Sequence, residues 1–384
     1  MFIRKSTART ALVAVAAVFV LGACSSAASS DDSTGDSSAP GKDSKAIGFI
    51  TVGPKDDFGY NQAVFEGSEA VHKAYPDLQI LTAENVPEDD TAATTMEQMI
   101  SKGAKVIFAT SYGHLDAALK VAAAHPDVVV IQQGNTITTD VPKNSGTYFG
   151  TVYEPMYLAG IAAGASTKTN KLGYVYAFPI PQTIGNIDAF ERGAQSVNPA
   201  VQTITVSTSD WCNPGKQQAA ADSLIKQGVD VLTQHQDCTS TVIQAAEKAG
   251  IMTVGYHADA SSLAPKGWLT GAVWDWGPLY VDIVKTTIEG KFVGSKYNAN
   301  YRVGYKTGTN PFVMAKYGPL VTDATKAKID EAQKWLATDK GSPFAGPVED
   351  QDGNVKIAAG TIPTYAENDA INFFVKGVVG KLAS

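Results

Sequence analysis

The sequence contains few of the residues that metal binding, redox chemistry and catalysis usually require. It has three cysteines and five histidines among 384 residues, and the histidines do not have the spacing of an H-E-x-x-H zinc motif. It also lacks a G-x-S-x-G nucleophile elbow and a phosphate-binding P-loop. These absences argue against an enzyme. We expect a binding protein with no metal and no cofactor.

Clustered positive charge and long apolar runs are also missing. The formal net charge is −7 and no basic cluster occurs, so we do not expect nucleic acid as a partner. Beyond the N-terminal segment, no apolar run reaches the roughly 18 residues that a transmembrane helix needs. About 340 residues of globular composition remain, which suggests two domains on the usual size range.

The first 23 residues have the pattern of a lipoprotein signal peptide. Three basic residues precede an apolar run over residues 11–21, which suits a secretory segment and is too short to span a bilayer. The run ends in Leu-Gly-Ala-Cys, which resembles a lipobox with Cys24 as the lipidated mature N-terminus. An ordinary signal peptide with an incidental Cys24 is the alternative. We therefore expect an extracytoplasmic protein held at the cell membrane by a lipid anchor.

The segment after Cys24 has too few large apolar side chains to fold. Residues 25–44 contain no aliphatic side chain larger than alanine, so burial cannot offset the entropy lost on ordering. We interpret residues 24–44 as a flexible tether.

The remaining cysteines, Cys212 and Cys238, form an even pair in an exported chain. Both follow predicted strands that we expect to be neighbours in a parallel sheet. A disulfide between them is predicted, and two free thiols are the alternative.

From residue 45 onward, strand patterns alternate with helix patterns in two consecutive series. Each β-α-β unit predicts a right-handed crossover and a parallel sheet covered by helices on both faces. The fold class is therefore α/β, a two-lobed periplasmic binding protein fold with a doubly wound sheet in each lobe and a hinge of several crossovers. We assign residues 45–152 with about 277–310 to the N-terminal lobe and 153–276 to the C-terminal lobe. Residues 311–384 are not assigned to a lobe.

Ligands of open α/β sheets bind beyond the carboxyl ends of the strands. The residues that follow the predicted strands are rich in aromatic, carboxylate and amide side chains. The predicted ligand-binding residues are Tyr60, Asn61, Tyr112, Asp116, Phe178, Trp211, Gln236, Asp237, Asp259, Trp274 and Trp276.

Aromatic rings at these positions would stack on a flat ligand, and the polar side chains would hydrogen-bond to it. The set lacks clustered arginine or lysine, which disfavours phosphate and favours a neutral heterocycle or a polyol. Structural roles remain open for several members. Asn61 could be a helix N-cap, Asp116 could favour a helix N-terminal dipole, Trp211 could brace a turn, and Trp274 or Trp276 could pack in the hinge.

Several segments together resemble the basic membrane protein family of ABC-importer lipoproteins. They include GPKDDFGYNQAVFEG, the TSYGHLDA loop, WCNPGK, QGVDVLTQHQD, AVWDWGPLY and PFAGPVEDQDG. The resemblance covers residues 45–384. It implies a two-lobed type I binding fold, an ABC permease and ATPase as partners, and a purine ligand. It also implies base contacts near Tyr60, Asn61 and Asp116, and ribose contacts at Asp259.

One departure from the family pattern bears on the ligand. Nucleoside-binding members carry a lysine on the strand after the ribose-binding aspartate, and the matching stretch here is Ala-Val-Trp-Asp-Trp at residues 272–276. The sequence therefore looks more like the adenine-binding branch. We expect a monomeric receptor for a purine base, with a purine nucleoside as the alternative ligand. A ligand-presenting sensor lipoprotein and a nucleoside hydrolase are the alternative functions.

Overall fold

The computed structural model describes residues 39–308 and 310–382. The predicted signal peptide, Cys24 and most of the tether lie outside the described residues. Residues 39–44 differ from the tether prediction because they pack on the folded domain. Gly41 N donates to Asp127 O at 2.9 Å and Asp43 N donates to Ile288 O at 3.1 Å. Within the described residues, no helix combines the length and the apolar character needed to cross a bilayer.

The N-terminal lobe comes first along the chain and consists of alternating strands and helices. Its elements up to the first crossover are β1 (Ala46–Ile50), α1 (Tyr60–Ala74), β2 (Gln79–Ala83), α2 (Asp90–Ser101), β3 (Ala104–Ala109), α3 (Leu115–Ala124), β4 (Val129–Gln133) and β5 (Ser145–Gly150). All neighbouring strands are parallel. Strand β1 is buried along its whole length, as expected for a parallel sheet covered on both faces.

The C-terminal lobe repeats the arrangement. Its first elements are α4 (Tyr153–Ser166), β6 (Lys171–Tyr176), α5 (Pro181–Val197), β7 (Gln202–Ser207), α6 (Pro214–Lys226), β8 (Val231–His235), α7 (Ser240–Ala249), β9 (Met252–His257) and β10 (Trp268–Trp274). The sheet has the order β10-β9-β8-β6-β7 at its centre. Strand β6 therefore lies between β7 and β8, and the prediction that the strands preceding Cys212 and Cys238 are neighbours is wrong. One right-handed crossover places β7 on one side of β6, and the next places β8 on the other side, so β6 separates these two strands.

The chain crosses between the lobes at three places in its described part. The remaining elements are α8 (Gly277–Ile288), β11 (Asn300–Val303), β12 (Phe312–Met314), α9 (Asp323–Leu336), β13 (Val348–Glu349), β14 (Val355–Ile357), α10 (Tyr365–Asn368) and β15 (Val378–Val379). Strand β11 pairs with β5 in the N-terminal lobe, whereas β12 pairs antiparallel with β10 in the C-terminal lobe. The crossings are thus β5 to α4, β10 to α8 and β11 to β12, as a hinge of several crossovers requires.

A buried carboxyl joins two of these crossings. Glu154, in the first turn of α4, accepts hydrogen bonds at Oε2 from Tyr305 N at 2.8 Å and from Asn310 Nδ2 at 3.1 Å. The Thr151 hydroxyl donates to the same oxygen. Burial raises the pKa of Glu154, and these hydrogen bonds oppose the rise. The hinge is therefore tied together by hydrogen bonds as well as by chain connectivity.

The C-terminal segment packs on the C-terminal lobe. Helix α9 packs on α4, and β15 extends the sheet by pairing with β7. Strands β13 and β14 form an antiparallel pair. One ion pair runs back to the N-terminal lobe, because Arg302 Nε donates to Asp369 Oδ2 at 2.8 Å.

Strand β5 and helix α4 were not predicted from the sequence, which indicated only a boundary between the lobes at residues 152–153. Helix α4 has buried residues on every side, so it lacks the one-sided apolar periodicity that marks a surface helix. Its glycines allow close packing on α5. A β-carbon built on Gly160 would lie 2.1 Å from Phe190 O, and one on Gly193 of α5 would lie 2.0 Å from Tyr157 O. The two helix backbones are therefore in direct contact.

This contact predicts opposite effects for two substitutions in the same helix. Gly193→Ala should lower the free energy of unfolding by about 1–3 kcal/mol, because the methyl group forces α4 and α5 apart. Gly185→Ala is the matched control, since nothing lies within 4 Å of its added β-carbon. That variant should be neutral or gain up to about 1 kcal/mol from helix propensity. Urea denaturation measures both, and equal effects would contradict the packing argument.

Candidate functional site

A narrow cavity lies between the lobes, where the carboxyl ends of both sets of strands meet. Its lining residues from the N-terminal lobe are Tyr60, Ser111, Tyr112, Gly134 and Phe149, and those from the C-terminal lobe are Gln182, Trp211, His235, Asp237 and His257. Each lies at a strand end, or in the loop or helix start that follows one. The cavity volume is about 30 Å³, which is room for about two water molecules. A larger ligand therefore needs the lobes or the lining side chains to move apart.

The first turn of α1 is fixed by a buried carboxylate. Asp57 accepts from Gly59 N at 2.7 Å, from Gln62 N at 3.0 Å and from Asn61 Nδ2 at 2.8 Å. These bonds satisfy N–H groups that a helix start leaves without partners. Asn61 Oδ1 in turn accepts from Gly53 N at 3.1 Å. Asn61 is completely buried and does not line the cavity, so its amide holds the loop in place.

Aromatic rings form the walls of the cavity. Tyr60 meets the His257 ring edge-on, with centroids 5.1 Å apart, and its hydroxyl accepts from Gln133 Nε2 at 2.5 Å. Trp211 packs against Phe178 at 5.1 Å and against His235 at 6.0 Å. These rings come from both lobes, so a flat ligand held between them would contact both.

The polar groups of the cavity are buried, and burial disfavours their charged forms. Burial raises the pKa of the Asp237 carboxyl well above its ordinary value, and Asp57 and Glu88 raise it further. Burial lowers the pKa of His257 well below its ordinary value, and His235 lowers it further. Burial alone lowers the pKa of His235 to about 3. Since no lysine or arginine lines the cavity, its chemistry suits a neutral ligand with hydrogen-bond donors and acceptors.

The lobes touch directly beside Asp237. Thr239 Oγ1 donates to Phe58 O at 2.5 Å across the cleft, and Trp211 Nε1 donates to Glu88 Oε2 at 3.4 Å. A β-carbon built on Gly59 would lie 1.7 Å from Asp237 O. The N-terminal loop therefore approaches the C-terminal lobe so closely that only a glycine fits.

The structure brings four of the predicted ligand-binding residues to the cavity surface, namely Tyr60, Tyr112, Trp211 and Asp237. Phe178 lies directly behind Trp211. Gln236 is buried and bonds to its own lobe, accepting from Gln217 Nε2 at 3.0 Å and donating to Thr208 Oγ1 at 2.9 Å.

The other predicted residues lie away from the cavity surface. Trp274 and Trp276 stack on each other in the hinge, with centroids 4.1 Å apart and planes 15° from parallel. Asp116 is exposed in the first turn of α3. Asp259 is exposed and accepts from Ser261 N at 3.0 Å. Neither carboxylate lines the cavity; Asp116 lies where a negative charge favours a helix start, and Asp259 holds a turn.

Several cavity residues were not among the predicted set. His235 and His257 end β8 and β9, and their position at strand ends was the signal that could have identified them. Phe149 belongs to β5, which the sequence did not reveal. Gln182 lies in the first turn of α5, and its amide donates to Gly134 O in the opposite lobe. Within the described residues, no group of three or more histidine, cysteine or acidic side chains is arranged to hold a metal ion.

A disulfide joins two of the loops that form the cavity. Cys212 and Cys238 are bonded, with their Cα atoms 5.0 Å apart. The bond lies beside Trp211 in one loop and Asp237 in the other, and Asp237 N donates to Trp211 O at 2.9 Å. The loops reach each other over the end of β6. The disulfide thus holds Trp211, an aromatic wall of the cavity, in a fixed position relative to the buried carboxyl of Asp237.

A family model described as ABC transporter substrate-binding protein PnrA-like, abbreviated Bmp, matches residues 44–338. The chain belongs to the Bmp family. Members of this family are the extracytoplasmic substrate-binding proteins of ABC transporters. The chain therefore works with a small-molecule ligand and a permease and ATPase complex.

Relatives of this Bmp protein cover nearly its whole folded length. It is 33% identical to a purine-binding protein of Brucella abortus, over 88% of this chain and 93% of that protein. It is 30% identical to a Haloferax volcanii protein named for glucose binding by an ABC transporter, over 88% and 81%. An ABC transporter solute-binding protein of Aeropyrum pernix has the same fold, with a TM-score of 0.67 and 14% identity over 85% of this chain and 95% of that one.

The close approach at Gly59 predicts that Gly59→Ala holds the lobes of this Bmp protein apart. The added methyl group would overlap Asp237 O, so the variant should have a larger radius of gyration by small-angle X-ray scattering and should lose at least about tenfold in ligand affinity. Gly215→Ala is the control, because its β-carbon would meet only Asn213 Oδ1 at 3.5 Å, within the same lobe. If Gly59→Ala had the radius of gyration and the ligand affinity of the wild type, the close contact between Gly59 and Asp237 would be refuted.

The disulfide predicts a loss of both stability and affinity in the double variant Cys212→Ser, Cys238→Ser. Its cysteines are 26 residues apart, so removing the bond should cost about 3 kcal/mol of unfolding free energy. Ligand affinity should fall because Trp211 and Asp237 are no longer held together. Calorimetry with and without a reducing agent measures both effects. The reductant should change the wild type only, and a wild type that binds equally well when reduced would contradict the role.

Proposed function

We propose that this Bmp-family protein binds a free purine base, adenine or a close analogue, in the cavity between its lobes and delivers it to an ABC importer. The observation that carries the proposal is the composition of the cavity. Aromatic walls from both lobes surround a buried carboxyl and two uncharged histidines, and no cationic side chain lines it. Stacking of a base on an aromatic ring contributes about 1–3 kcal/mol, and the polar groups match the ring nitrogens and the amine.

The end of β10 favours a base over a nucleoside. Trp274 is the last residue of that strand and is packed against Phe312 and Phe149, with centroids 4.1 and 4.9 Å away. No lysine occupies the stretch that holds one in nucleoside-binding members. A purine nucleoside is the alternative ligand.

The proposal extends to the setting in which the protein works. Cys24 and its preceding apolar run support a lipid-anchored receptor at the outer face of the cell membrane, acting as a monomer and without catalysis. A sensor lipoprotein that presents the same ligand to a membrane receptor is the alternative use of this cavity. Purine uptake into membrane vesicles, measured with and without the protein, separates transport from sensing.

Titration calorimetry with adenine, hypoxanthine, adenosine, guanosine and glucose tests the ligand. We expect adenine to bind, and adenosine to bind at least about tenfold more weakly, a difference of about 1.4 kcal/mol. Binding of glucose with no binding of any purine would reject the proposal. Tighter binding of adenosine would reject only the choice of base over nucleoside.

A variant pair connects the binding to the cavity. Trp211→Ala removes a cavity wall and should weaken adenine binding by at least about tenfold. Trp335→Ala is the matched control, because Trp335 lies on the outer helix α9 and packs against Tyr157 of α4, with ring centroids 5.9 Å apart. It should leave affinity unchanged. Equal affinities of the two variants would indicate that the ligand binds elsewhere.

A further inference from the structure

The strand β9 ends in an unusual backbone conformation at the cavity. His257 has a φ of 70°, a left-handed conformation that costs a residue with a β-carbon about 1–3 kcal/mol. It is nevertheless buried, with 2% of its surface exposed. Such a conformation persists only where the surrounding structure holds it, and it occurs preferentially at functional sites.

One side of the His257 ring is bonded to a rigid donor. Trp274 Nε1 donates to His257 Nδ1 at 2.9 Å. An indole N–H can only donate, so His257 Nδ1 must be the acceptor and the ring proton of the neutral form must be on Nε2. Trp274 stacks on Trp276 and packs against Phe312, each with a ring centroid 4.1 Å away. The indole therefore has no room to turn away from the histidine.

The other side of the ring faces the cavity. Within the described part of the chain, His257 Nε2 has no hydrogen-bond partner, and Asp237 Oδ1 is 3.9 Å from it, beyond hydrogen-bonding distance. The remaining titratable groups against the ring are His235, Tyr60 and Tyr256. Nε2–H is thus an available donor beside a carboxyl, with both groups on the cavity surface.

We propose that Trp274 is a positioning residue that fixes His257 in the Nε2–H tautomer, and that this N–H donates to an unprotonated ring nitrogen of the bound base. The choice of a purine as probe depends on the proposed function. The assignment of the His257 tautomer does not rest on the proposed function. Protonation of His257 at Nδ1 would break the Trp274 bond, so this bond opposes protonation and holds the ring in the neutral Nε2–H form. The site then selects ligands that place a hydrogen-bond acceptor opposite His257 Nε2.

Two tryptophans provide a matched pair of variants. Trp274→Phe keeps an aromatic ring in the hinge and removes the N–H that bonds His257. Trp276→Phe removes an N–H that is buried and has no hydrogen-bond partner among the described residues. In protein labelled with ¹⁵N-histidine, with His257 assigned through His257→Gln, we expect an unprotonated Nδ1 in the wild type and in Trp276→Phe. Trp274→Phe should show a mixture of tautomers. A protonated Nδ1 in the wild type would overturn the proposal even if purines bind.

Adenine analogues test the donor itself. In 1-deaza-, 3-deaza- and 7-deazaadenine a single ring nitrogen is replaced by C–H. We expect one of them to bind the wild type at least about tenfold more weakly than adenine. The same replacement should reduce the affinity of Trp274→Phe by a much smaller factor. It should reduce the affinity of Trp276→Phe by the same factor as in the wild type. Equal binding of all three analogues and adenine to the wild type would overturn the proposal. If no purine binds at all, the proposed function fails, while the nitrogen spectra still decide the tautomer.

Discussion

The contact between Gly59 and the Asp237 carbonyl oxygen brings the lobes to within van der Waals distance, and the properties of the site depend on that closeness. Asp237 is buried because the N-terminal loop covers it, and burial beside Asp57 raises the pKa of its carboxyl. His257 is buried in the same cavity, and its pKa falls for the same reason. Burial therefore disfavours the charged form of each of these groups.

The hinge connects this chemistry to the core. A series of ring contacts runs from Tyr148 and Tyr280 through Trp276 and Trp274 to His257. The hydrogen bond from Trp274 to His257 is the last step of the series. Because stacked rings in a close-packed interior cannot turn freely, the orientation of a cavity residue is set by side chains that do not line the cavity.

The architecture and part of the site could be predicted from sequence periodicity. Alternating strand and helix patterns indicated two parallel sheets and a hinge, and strand ends pointed to Trp211 and Asp237. Helix α4 could not be found in this way, because burial on all sides removes the amphipathic pattern. Asp116 and Asp259 also follow strands, but local geometry turns them outward to a helix start and a turn. Position in a sequence pattern gives no side-chain direction.

The sequence by itself determined the fold class, the family and the scarcity of charge at the strand ends, because periodicity and composition are properties of the chain. The tertiary structure decided which strand ends face one another and which side chains reach the cavity. It placed β6 between the strands that precede the two cysteines, although the disulfide still closes over its end. It also brought Trp274 to His257, which are 17 residues apart. Contacts of this kind depend on packing in three dimensions, and no local pattern encodes them.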